Sequence, residues 1–466
     1  MLTPSYHLPG ISDVPVRTEP VGSRGVEVEH AALSADLITR TLASLRAARA
    51  RTLAARPVGE IIDVIARLAA EWRRPDSPWL SQAAAVLPAT TGLSPEMVAG
   101  MLPGLFESFT AENLWSFVDS ETGGANALDG FVASPWGERH AIGPDLVAHI
   151  SAGNVPGLAL PVLFTALLAK AAVMLKPAAG EPVLAALVAR SLAQLDAGAG
   201  ACVAAAYWPG GTRELDHALL SRADVVIVEG SDETVAAVKA AARGRVFGFG
   251  RRVSLAVVAR EATADVERIA AAIARDVSLY DQQGCLSPQV AYVERGGAAT
   301  PTEIAAALGE ALISLERELP RGPLTPAEHT ALRAFRADAE WHAVAGKDIQ
   351  IFGDPSETGP TVIYEPDPGF EPTCLNRTLR VKPLSRLEDL PLELGSWAPL
   401  VEAVAAAGPP ARIRSLALAL ATRSSTSRVC PLGQMQVPPV GWRHGGLPRL
   451  GSLLRWIDIE WPPGKT

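Results

Sequence analysis

Between residues 146 and 250 the chain alternates short apolar runs with helical patterns. The apolar runs are rich in small and β-branched residues, and the helical patterns repeat their apolar positions every three or four residues. The predicted strands are Leu146–Ile150, Ala171–Lys176, Cys202–Trp208, Asp224–Val228 and a run near Val246, and the predicted helices are Gly157–Lys170, Pro182–Leu195, Thr212–Leu220 and a segment ending near Ala242. This alternation predicts an α/β fold with a doubly wound parallel sheet, whose ligands bind at the carboxyl ends of the strands.

The pattern restarts after residue 250 and predicts a second α/β domain. Its first elements are a strand over Ser254–Ala259, a helix over Thr263–Ser278 and a strand over Gln289–Val293. Near the end of the chain, apolar and acidic residues alternate from 457 to 461, which predicts a half-buried strand. We expect that strand to pair with a neighbouring subunit and therefore predict a homo-oligomer.

The N-terminal part is less regular. Residues 1–30 are polar and interrupted by proline and glycine, which predicts an irregular lead-in. A helical pattern follows from about Glu29 to Trp72 and includes a second run over Val58–Trp72.

Composition excludes several classes of protein. Hydrophobic residues make up 48% of the 466 residues, which is enough to bury a core, so extensive disorder is excluded. The net charge of −8 argues against general nucleic-acid binding. The uncharged stretch Gly157–Ala169 is too short for a membrane span, and the histidines show no metal-binding spacing. The start of the chain shows no secretion signal and the four cysteines are widely separated, which predicts a reduced, cytoplasmic protein.

Cys285 is the strongest candidate nucleophile. It follows Gly284 in a polar loop, where glycine lets the backbone approach a substrate closely. A thiolate suits acyl transfer because sulfur is highly nucleophilic. No cationic residue adjoins Cys285 and Asp281 disfavours the thiolate, so activation has to come from distant parts of the fold. The alternative is a small buried hydrophobic residue, the usual state of a free cysteine.

Three other positions carry candidate chemistry. Lys176 ends a predicted strand and can reach a ribose hydroxyl or a phosphate, or it is a solvated strand-end lysine. Gly230 and Ser231 open a helix whose amide groups can face a pyrophosphate, although glycine–serine helix caps are common. The Asn154 amide can donate to an oxyanion, or it is a turn residue.

Taken in order, these segments resemble the aldehyde dehydrogenase superfamily and, within it, the acyl-CoA reductases of the LuxC type. The resemblance extends from about residue 145 to the end of the chain. It covers the first 140 residues only poorly. It rests on His149–Pro156, Met174–Pro177, Glu229–Ser231, Tyr280–Pro288 and Arg428–Gln436, followed by Pro438, Pro439 and Trp442. The Tyr280–Pro288 segment is the most specific of these.

The resemblance implies the role of each site residue. Cys285 matches the catalytic cysteine, and Asn154 matches the asparagine that stabilises the oxyanion together with the Cys285 amide. Lys176, followed by Pro177, matches the lysine that binds the adenosine ribose. Gly230 and Ser231 match the helix start that faces the pyrophosphate. It also implies a dinucleotide-binding domain with N-terminal helices over residues 1–250, a catalytic cysteine domain over 251–435 and a C-terminal return or oligomerisation segment over 436–466.

Two departures from the superfamily pattern bear on the chemistry. Ala179 stands where many members that use NAD carry a glutamate for the ribose 2′-hydroxyl, so we expect NADPH to be accepted or preferred and NADH to remain a substrate. Residues 251–255 contain no carboxylate where aldehyde-oxidising members carry a general base. An acyl-enzyme that water does not attack survives for hydride delivery or thiol exchange.

The resemblance therefore implies NADPH-dependent reduction of a fatty acyl-CoA thioester to the aldehyde through an acyl-enzyme on Cys285. Three alternatives stay open: reduction of a thioester carried on a carrier protein, oxidation of an aldehyde to free acid, and a non-catalytic partner that binds a nucleotide or an acyl enzyme. An acyl-transferring partner protein is a further expectation from the resemblance. The acyl chain length cannot be inferred from the residues.

Overall fold

The computed structural model of the protein describes residues 2–21 and 25–461. Its strands are β1 Thr3–Pro4, β2 Tyr6–His7, β3 Val16–Val21, β4 Val26–Ala31, β5 Val132–Ser134, β6 Gly137–Ile142, β7 Leu146–Ile150, β8 Ala172–Lys176, β9 Val203–Ala206, β10 Val225–Glu229, β11 Arg245–Phe249, β12 Val253–Val258, β13 Pro288–Glu294, β14 Gln350–Gly353, β15 Thr361–Tyr364, β16 Thr378–Leu384, β17 Val401–Ala407, β18 Arg428–Pro431 and β19 Arg455–Glu460. Its helices are α1 Ala35–Thr52, α2 Val58–Arg73, α3 Pro78–Thr91, α4 Pro95–Met101, α5 Ala111–Thr122, α6 Ala159–Leu168, α7 Leu184–Leu195, α8 Ala197–Gly200, α9 Arg213–Leu220, α10 Asp232–Ala241, α11 Val266–Ser278, α12 Pro301–Glu318, α13 Pro326–Val344, α14 Leu390–Glu393 and α15 Pro410–Arg423.

A six-stranded sheet with the order β11-β10-β7-β8-β9-β2 confirms the predicted doubly wound arrangement. Strands β7 to β11 are parallel, and β2 adds an antiparallel edge beside β9. All residues of β7, β8 and β9 are buried, which explains why these strands are almost entirely apolar, with His149 and Lys176 as the exceptions. The chain proceeds from β7 through β8 and β9 on one side and then through β10 and β11 on the other. A crevice therefore opens at the carboxyl ends of β7 and β10.

A seven-stranded sheet with the order β14-β15-β16-β13-β12-β17-β18 forms the second α/β unit. It is parallel except for the β14–β15 pair. One hydrophobic cluster packs α11 and α12 on one face, and another packs α15 on the other. The register between β12 and β17 shifts where Val253 and Ser254 pair with Val401 and Ala403, so Glu402 lies in a β-bulge. The division of the chain at residues 250 and 435 stays a prediction.

The prediction of an irregular lead-in was wrong. Strands β1, β3 and β4 form a three-stranded sheet, and β2 joins the six-stranded sheet. The helical pattern begins at Ala35 rather than near Glu29, because Val26–Ala31 forms β4. Ser34 caps the helix, since its side chain accepts a hydrogen bond from the Leu37 amide.

The C-terminal strand pairs within its own chain. Strand β19 is antiparallel to β6, which in turn pairs with β5. The expected pairing with a neighbouring subunit is therefore wrong for this strand, while the homo-oligomer stays a prediction. Residues 462–466 of the predicted C-terminal segment lie outside the described residues. No helix in residues 2–21 and 25–461 is both long and apolar enough to cross a membrane.

Candidate active site

One cavity of about 980 Å³ brings together most of the residues singled out from the sequence. Its lining includes Asn154, Lys176, Ala179, Gly230, Ser231 and Cys285. These residues come from the carboxyl ends of β7, β8 and β10 and from the loop between α11 and β13. Pro177 is buried and does not line the cavity. The crevice predicted for the parallel sheet thus opens toward the candidate nucleophile.

The loop after β7 joins the two halves of the site. The Asn154 side-chain amide donates a hydrogen bond of 2.6 Å to the carbonyl of Gln283, two residues before Cys285. An amide NH₂ group has two N–H donors, so the second stays available for a ligand oxygen. A Cβ atom on Gly153 would lie 2.9 Å from the Ala178 Cβ, which explains why this loop needs glycine to pack on the loop after β8.

Cys285 is partly buried between the two sheets. Its carbonyl accepts a hydrogen bond of 2.7 Å from Ser254 Oγ on β12. Burial raises the pKa of the Cys285 thiol to about 12, and the nearby charges of Glu402 and Glu229 add to the effect. The thiol form is therefore strongly favoured, and nucleophilic attack requires a group that removes its proton.

Two left-handed segments face each other beside the Cys285 loop. Tyr280–Gln282 have φ angles of 57°, 50° and 65°, and Leu375–Arg377 have φ angles of 64°, 56° and 66°. The Gln282 side chain donates to the carbonyls of Pro288 and Thr378 and accepts from the Thr378 amide, at 2.7 to 3.0 Å. These bonds connect the first segment to the start of β16 and to the strand after Cys285.

The Asp281 carboxylate belongs to this same junction and not to the cavity. It pairs with the fully buried Arg377 guanidinium at 2.7 Å and accepts a hydrogen bond of 2.9 Å from the Gly322 amide. The expectation that Asp281 disfavours the Cys285 thiolate was therefore wrong, because its charge is neutralised by Arg377. The charges that do oppose the thiolate belong to Glu402 and Glu229.

The Lys176 end of the cavity carries no carboxylate. The Lys176 ammonium lies 5.1 Å from the centre of the Trp208 ring, and burial lowers its pKa. Ala179 presents a methyl group to the cavity. Glu181, two residues further on, accepts from the amides of Val183 and Leu184 at 3.0 and 2.6 Å and so caps α7. Among the described residues, Glu107 and Glu229 are the acidic side chains that line the cavity.

The N-terminus of α10 lies at the carboxyl end of β10. Ser231 caps the helix by accepting a hydrogen bond of 3.2 Å from the Thr234 amide, and Gly230 and Thr234 also line the cavity. Helix N-termini present free amide groups and a positive dipole end, which favour anionic groups. This end of the helix has the geometry expected of a phosphate-binding site.

Residues 428–436, which comprise β18 and the turn after it, pack against the Cys285 loop and support it. The buried Asp276 carboxylate on α11 accepts hydrogen bonds of 2.7 and 2.9 Å from the amides of Gly433 and Met435. The Gln436 side chain donates to the Asp276 carbonyl and to Ser287 Oγ, two residues after Cys285. Burial raises the pKa of Asp276 to about 6. The tail segment thus positions the nucleophile loop through polar contacts.

Sequence reasoning missed a chain of ionisable groups beside the nucleophile. Glu229, the last residue of β10, lies 3.5 Å from Nε2 of the buried His149 and 3.9 Å from Nδ1 of His444. Glu402 lies 3.2 Å from the Arg252 guanidinium. Glu229 directly precedes Gly230, so its place beside the site could have been predicted from the sequence. His444 is 159 residues from Cys285, so nothing local in the sequence connects the two. His149 lies on the buried strand β7, and its only hydrogen-bond partner among the described residues is Ser151, at 3.2 Å from Nδ1.

Solved structures place this fold in a known class. The chain superposes on aldehyde dehydrogenase 21 from Physcomitrella patens with a TM-score of 0.74 and 13% identity over the whole of both chains. It superposes on an indole-3-acetaldehyde dehydrogenase with a TM-score of 0.73 and 17% identity, covering 97% of this chain and 95% of that one. That structure was solved with NAD⁺. The fold is that of the aldehyde dehydrogenases.

Comparison with protein families gives a more specific assignment than comparison of folds. Residues 53–456 match the family model described as acyl-CoA reductase (LuxC), and the protein belongs to this family. A long-chain acyl-protein thioester reductase from Aliivibrio fischeri is 25% identical over 364 residues, which cover 76% of this chain and 72% of that protein. A long-chain acyl-protein thioester reductase from Vibrio harveyi is 24% identical over 285 residues, covering 59% and 57% respectively.

Proposed function

We propose that the protein reduces a long-chain acyl thioester to the aldehyde with NADPH, through an acyl-enzyme on Cys285. The observation that carries this proposal is the convergence of Cys285, Asn154, Lys176 and the N-terminus of α10 on one cavity. Membership of the acyl-CoA reductase family supports the reaction type.

The roles of the two catalytic residues follow from their contacts. The Cys285 sulfur attacks the thioester carbonyl, the original thiol leaves, and the acyl group stays on the enzyme. Asn154, whose position is set by its bond to the Gln283 carbonyl, donates its free N–H to the developing oxyanion. The Cys285 amide is the second donor proposed from the resemblance. Partial burial of the sulfur limits the access of water to the acyl-enzyme.

The cavity residues fit a nicotinamide dinucleotide. Lys176 would contact the adenosine ribose, and the amide groups at Gly230 and Ser231 would contact the pyrophosphate. Ala179 replaces a carboxylate by a methyl group, and Glu181 is turned away to cap α7, so none of the described residues that line this end of the cavity places a carboxylate against a 2′-phosphate. Bound NADPH supplies the hydride that reduces the acyl group, and NADH is the weaker donor in this proposal.

The names of the relatives bear on which thiol carries the acyl group. The sequence analysis put acyl-CoA first, whereas the Aliivibrio fischeri and Vibrio harveyi relatives are named as acyl-protein thioester reductases. We therefore propose an acyl group carried on a partner or carrier protein as the physiological substrate, with acyl-CoA as an alternative donor. A homo-oligomer, an acyl-transferring partner and a cytoplasmic location remain part of the proposal.

The experiment measures aldehyde formation and NADPH oxidation with acyl-CoAs of rising chain length and with the same acyl groups on a carrier protein. The wild type should form aldehyde, and Cys285→Ala should form none while binding NADPH with unchanged affinity. Cys430→Ala is the matched control, because this second partly buried cysteine does not line the cavity. Aldehyde formed by Cys285→Ala would overturn the acyl-enzyme.

The same assay separates the alternatives. A higher kcat/KM for the carrier-bound acyl group than for acyl-CoA supports the protein-bound substrate, and the reverse order supports acyl-CoA. Release of free acid from aldehyde and NADP⁺ would identify an aldehyde dehydrogenase. NADPH binding without turnover on any thioester would identify a non-catalytic partner.

A further inference from the structure

A partly buried carboxylate–imidazole pair faces the same cavity as Cys285. Glu229 and His444 both line this cavity, and their nearest atoms, Glu229 Oε1 and His444 Nδ1, are 3.9 Å apart. The second oxygen of Glu229 lies 3.5 Å from His149 Nε2, and His149 Nδ1 lies 3.2 Å from Ser151 Oγ. None of these groups has a role in the function proposed above.

The His444 ring is held in one plane. It stacks on Phe249 with ring centres 4.0 Å apart and an interplanar angle of 7°. Its other neighbour is Trp442, at 5.0 Å between ring centres, and Trp442 belongs to the cluster on which Cys285 packs. Nδ1 of His444 faces Glu229, so Nε2 is the ring nitrogen that remains available. No described protein group forms a hydrogen bond with Nε2.

The charges around His444 leave a neutral imidazole. Glu229 at the end of β10 and Glu402 in the bulge of β17 favour the protonated ring, while Arg449 and Arg252 disfavour it. Burial outweighs the two carboxylates and lowers the pKa of His444. Burial also disfavours the charged form of Glu229, but its interactions with His149, His444 and Arg449 lower its pKa overall. A neutral imidazole beside an ionised carboxylate can accept a proton at neutral pH.

Cys285 needs such a group, because burial, Glu402 and Glu229 favour its thiol form and the charge of Arg252 opposes them only in part. We infer that His444 Nε2 is the base that takes the Cys285 thiol proton, with Glu229 as the residue that positions and polarises the imidazole. This inference rests on the proposed function and adds a residue to it.

The acylation step then balances without any further reactant. As the Cys285 sulfur bonds to the carbonyl carbon of the acyl thioester, its proton moves to His444 Nε2. The bond between the carbonyl carbon and the original sulfur breaks, and that sulfur takes the proton from His444. The products are the acyl-enzyme and a free thiol, and no electron is gained or lost.

The first test measures Cys285 alone and is independent of the substrate. The rate of iodoacetamide alkylation at the Cys285 peptide is followed by mass spectrometry from pH 5.5 to 10.5. We expect His444→Asn to slow alkylation at pH 7 by at least about tenfold, and the difference from the wild type to narrow as the pH rises toward 10.5. His217→Asn, an exposed histidine on α9, is the matched control and should match the wild type. Equal rates at pH 7 in the wild type and His444→Asn would overturn the inference, whether or not the protein reduces a thioester.

The second test follows the acylation step without NADPH. Thiol release from an acyl thioester is measured in a single turnover for the wild type, His444→Ala and Glu229→Gln. We expect His444→Ala to lose most of the rate of thiol release, and free imidazole to restore part of it. The rate of Glu229→Gln should fall between those of the wild type and His444→Ala. A purely structural His444 would give no rescue by imidazole, and that result would also overturn the inference. Absence of thiol release in the wild type contradicts the proposed function instead, and the alkylation profile still decides the role of His444.

Discussion

Replacing Arg377 by methionine tests how the strained nucleophile loop is maintained. The six left-handed residues in 280–282 and 375–377 are each disfavoured by about 1–2 kcal/mol relative to ordinary backbone. Arg377 offsets this cost because its buried guanidinium binds Asp281 at 2.7 Å, the Leu319 carbonyl at 2.7 Å and Glu316. Methionine fills a similar volume but leaves the Asp281 carboxylate without its charge partner.

We expect Arg377→Met to lower the free energy of unfolding by about 3–5 kcal/mol, the usual cost of breaking a buried ion pair from one side. This loss of unfolding free energy in Arg377→Met should be smaller at pH 5 than at pH 8. Burial raises the pKa of Asp281 even with Arg377 present, and removal of the cation raises it further. A carboxyl group whose pKa is higher in the folded state stabilises the fold at low pH and loses that contribution as the pH rises through the folded-state pKa.

Urea denaturation followed by tryptophan fluorescence measures the effect at both pH values. Arg268→Met is the control, because the Arg268–Asp265 pair is exposed and we expect a loss below about 1 kcal/mol. Asp281→Asn combined with Arg377→Met should recover part of the loss, since the unpaired charge is gone. A loss below about 1 kcal/mol for Arg377→Met alone would refute the view that this ion pair maintains the loop.

Two further variants probe the cavity, and a third probes the Glu181 cap of α7. Ala179→Glu should shift the ratio of kcat/KM values toward NADH by at least about tenfold, and an unchanged ratio would contradict the reasoning about the 2′-phosphate. Asn154→Ala should lower kcat by about 10²–10³-fold with little change in the dissociation constant of NADPH, and a normal kcat would remove it from the oxyanion site. Burial raises the pKa of Glu181 to about 7, so the wild type should lose about 3 kcal/mol of stability between pH 4.5 and pH 7. Glu181→Gln keeps an oxygen for the cap and should abolish that dependence, as thermal unfolding at several pH values can verify.

Local pattern was enough to predict the five parallel strands of the six-stranded sheet. Strands such as Leu146–Ile150 and Ala172–Lys176 are buried on both faces, so they are mostly apolar and can each be recognised from the sequence alone. The short N-terminal strands were missed because Thr3–Pro4 and Tyr6–His7 are two residues long and acquire their structure only by pairing with distant strands. The partner of the C-terminal strand was assigned wrongly for the same reason, since alternation shows that a strand exists and not what it pairs with.

The family resemblance located the candidate nucleophile and the other candidate site residues, but not the groups that surround them in the structure. Cys285, Asn154 and Lys176 stand in recognisable segments, and the structure brings them to one cavity as expected. Asp281 was misjudged, because its effect depends on Arg377, which is 96 residues away and fully buried. A charge close in sequence can be neutralised by one that is close only in space.

The amino-acid sequence by itself determined the class of fold, the order of the parallel strands and their helices in the first sheet, and the candidate cysteine nucleophile. Those properties depend on local periodicity and on side-chain type, which each segment carries alone. The tertiary structure decided the pairing of Asp281 with Arg377, the burial of Glu229, and the approach of His444 to the nucleophile's cavity. Proton affinities and charge compensation depend on burial and on distances between segments far apart in the chain, and only the folded arrangement sets these.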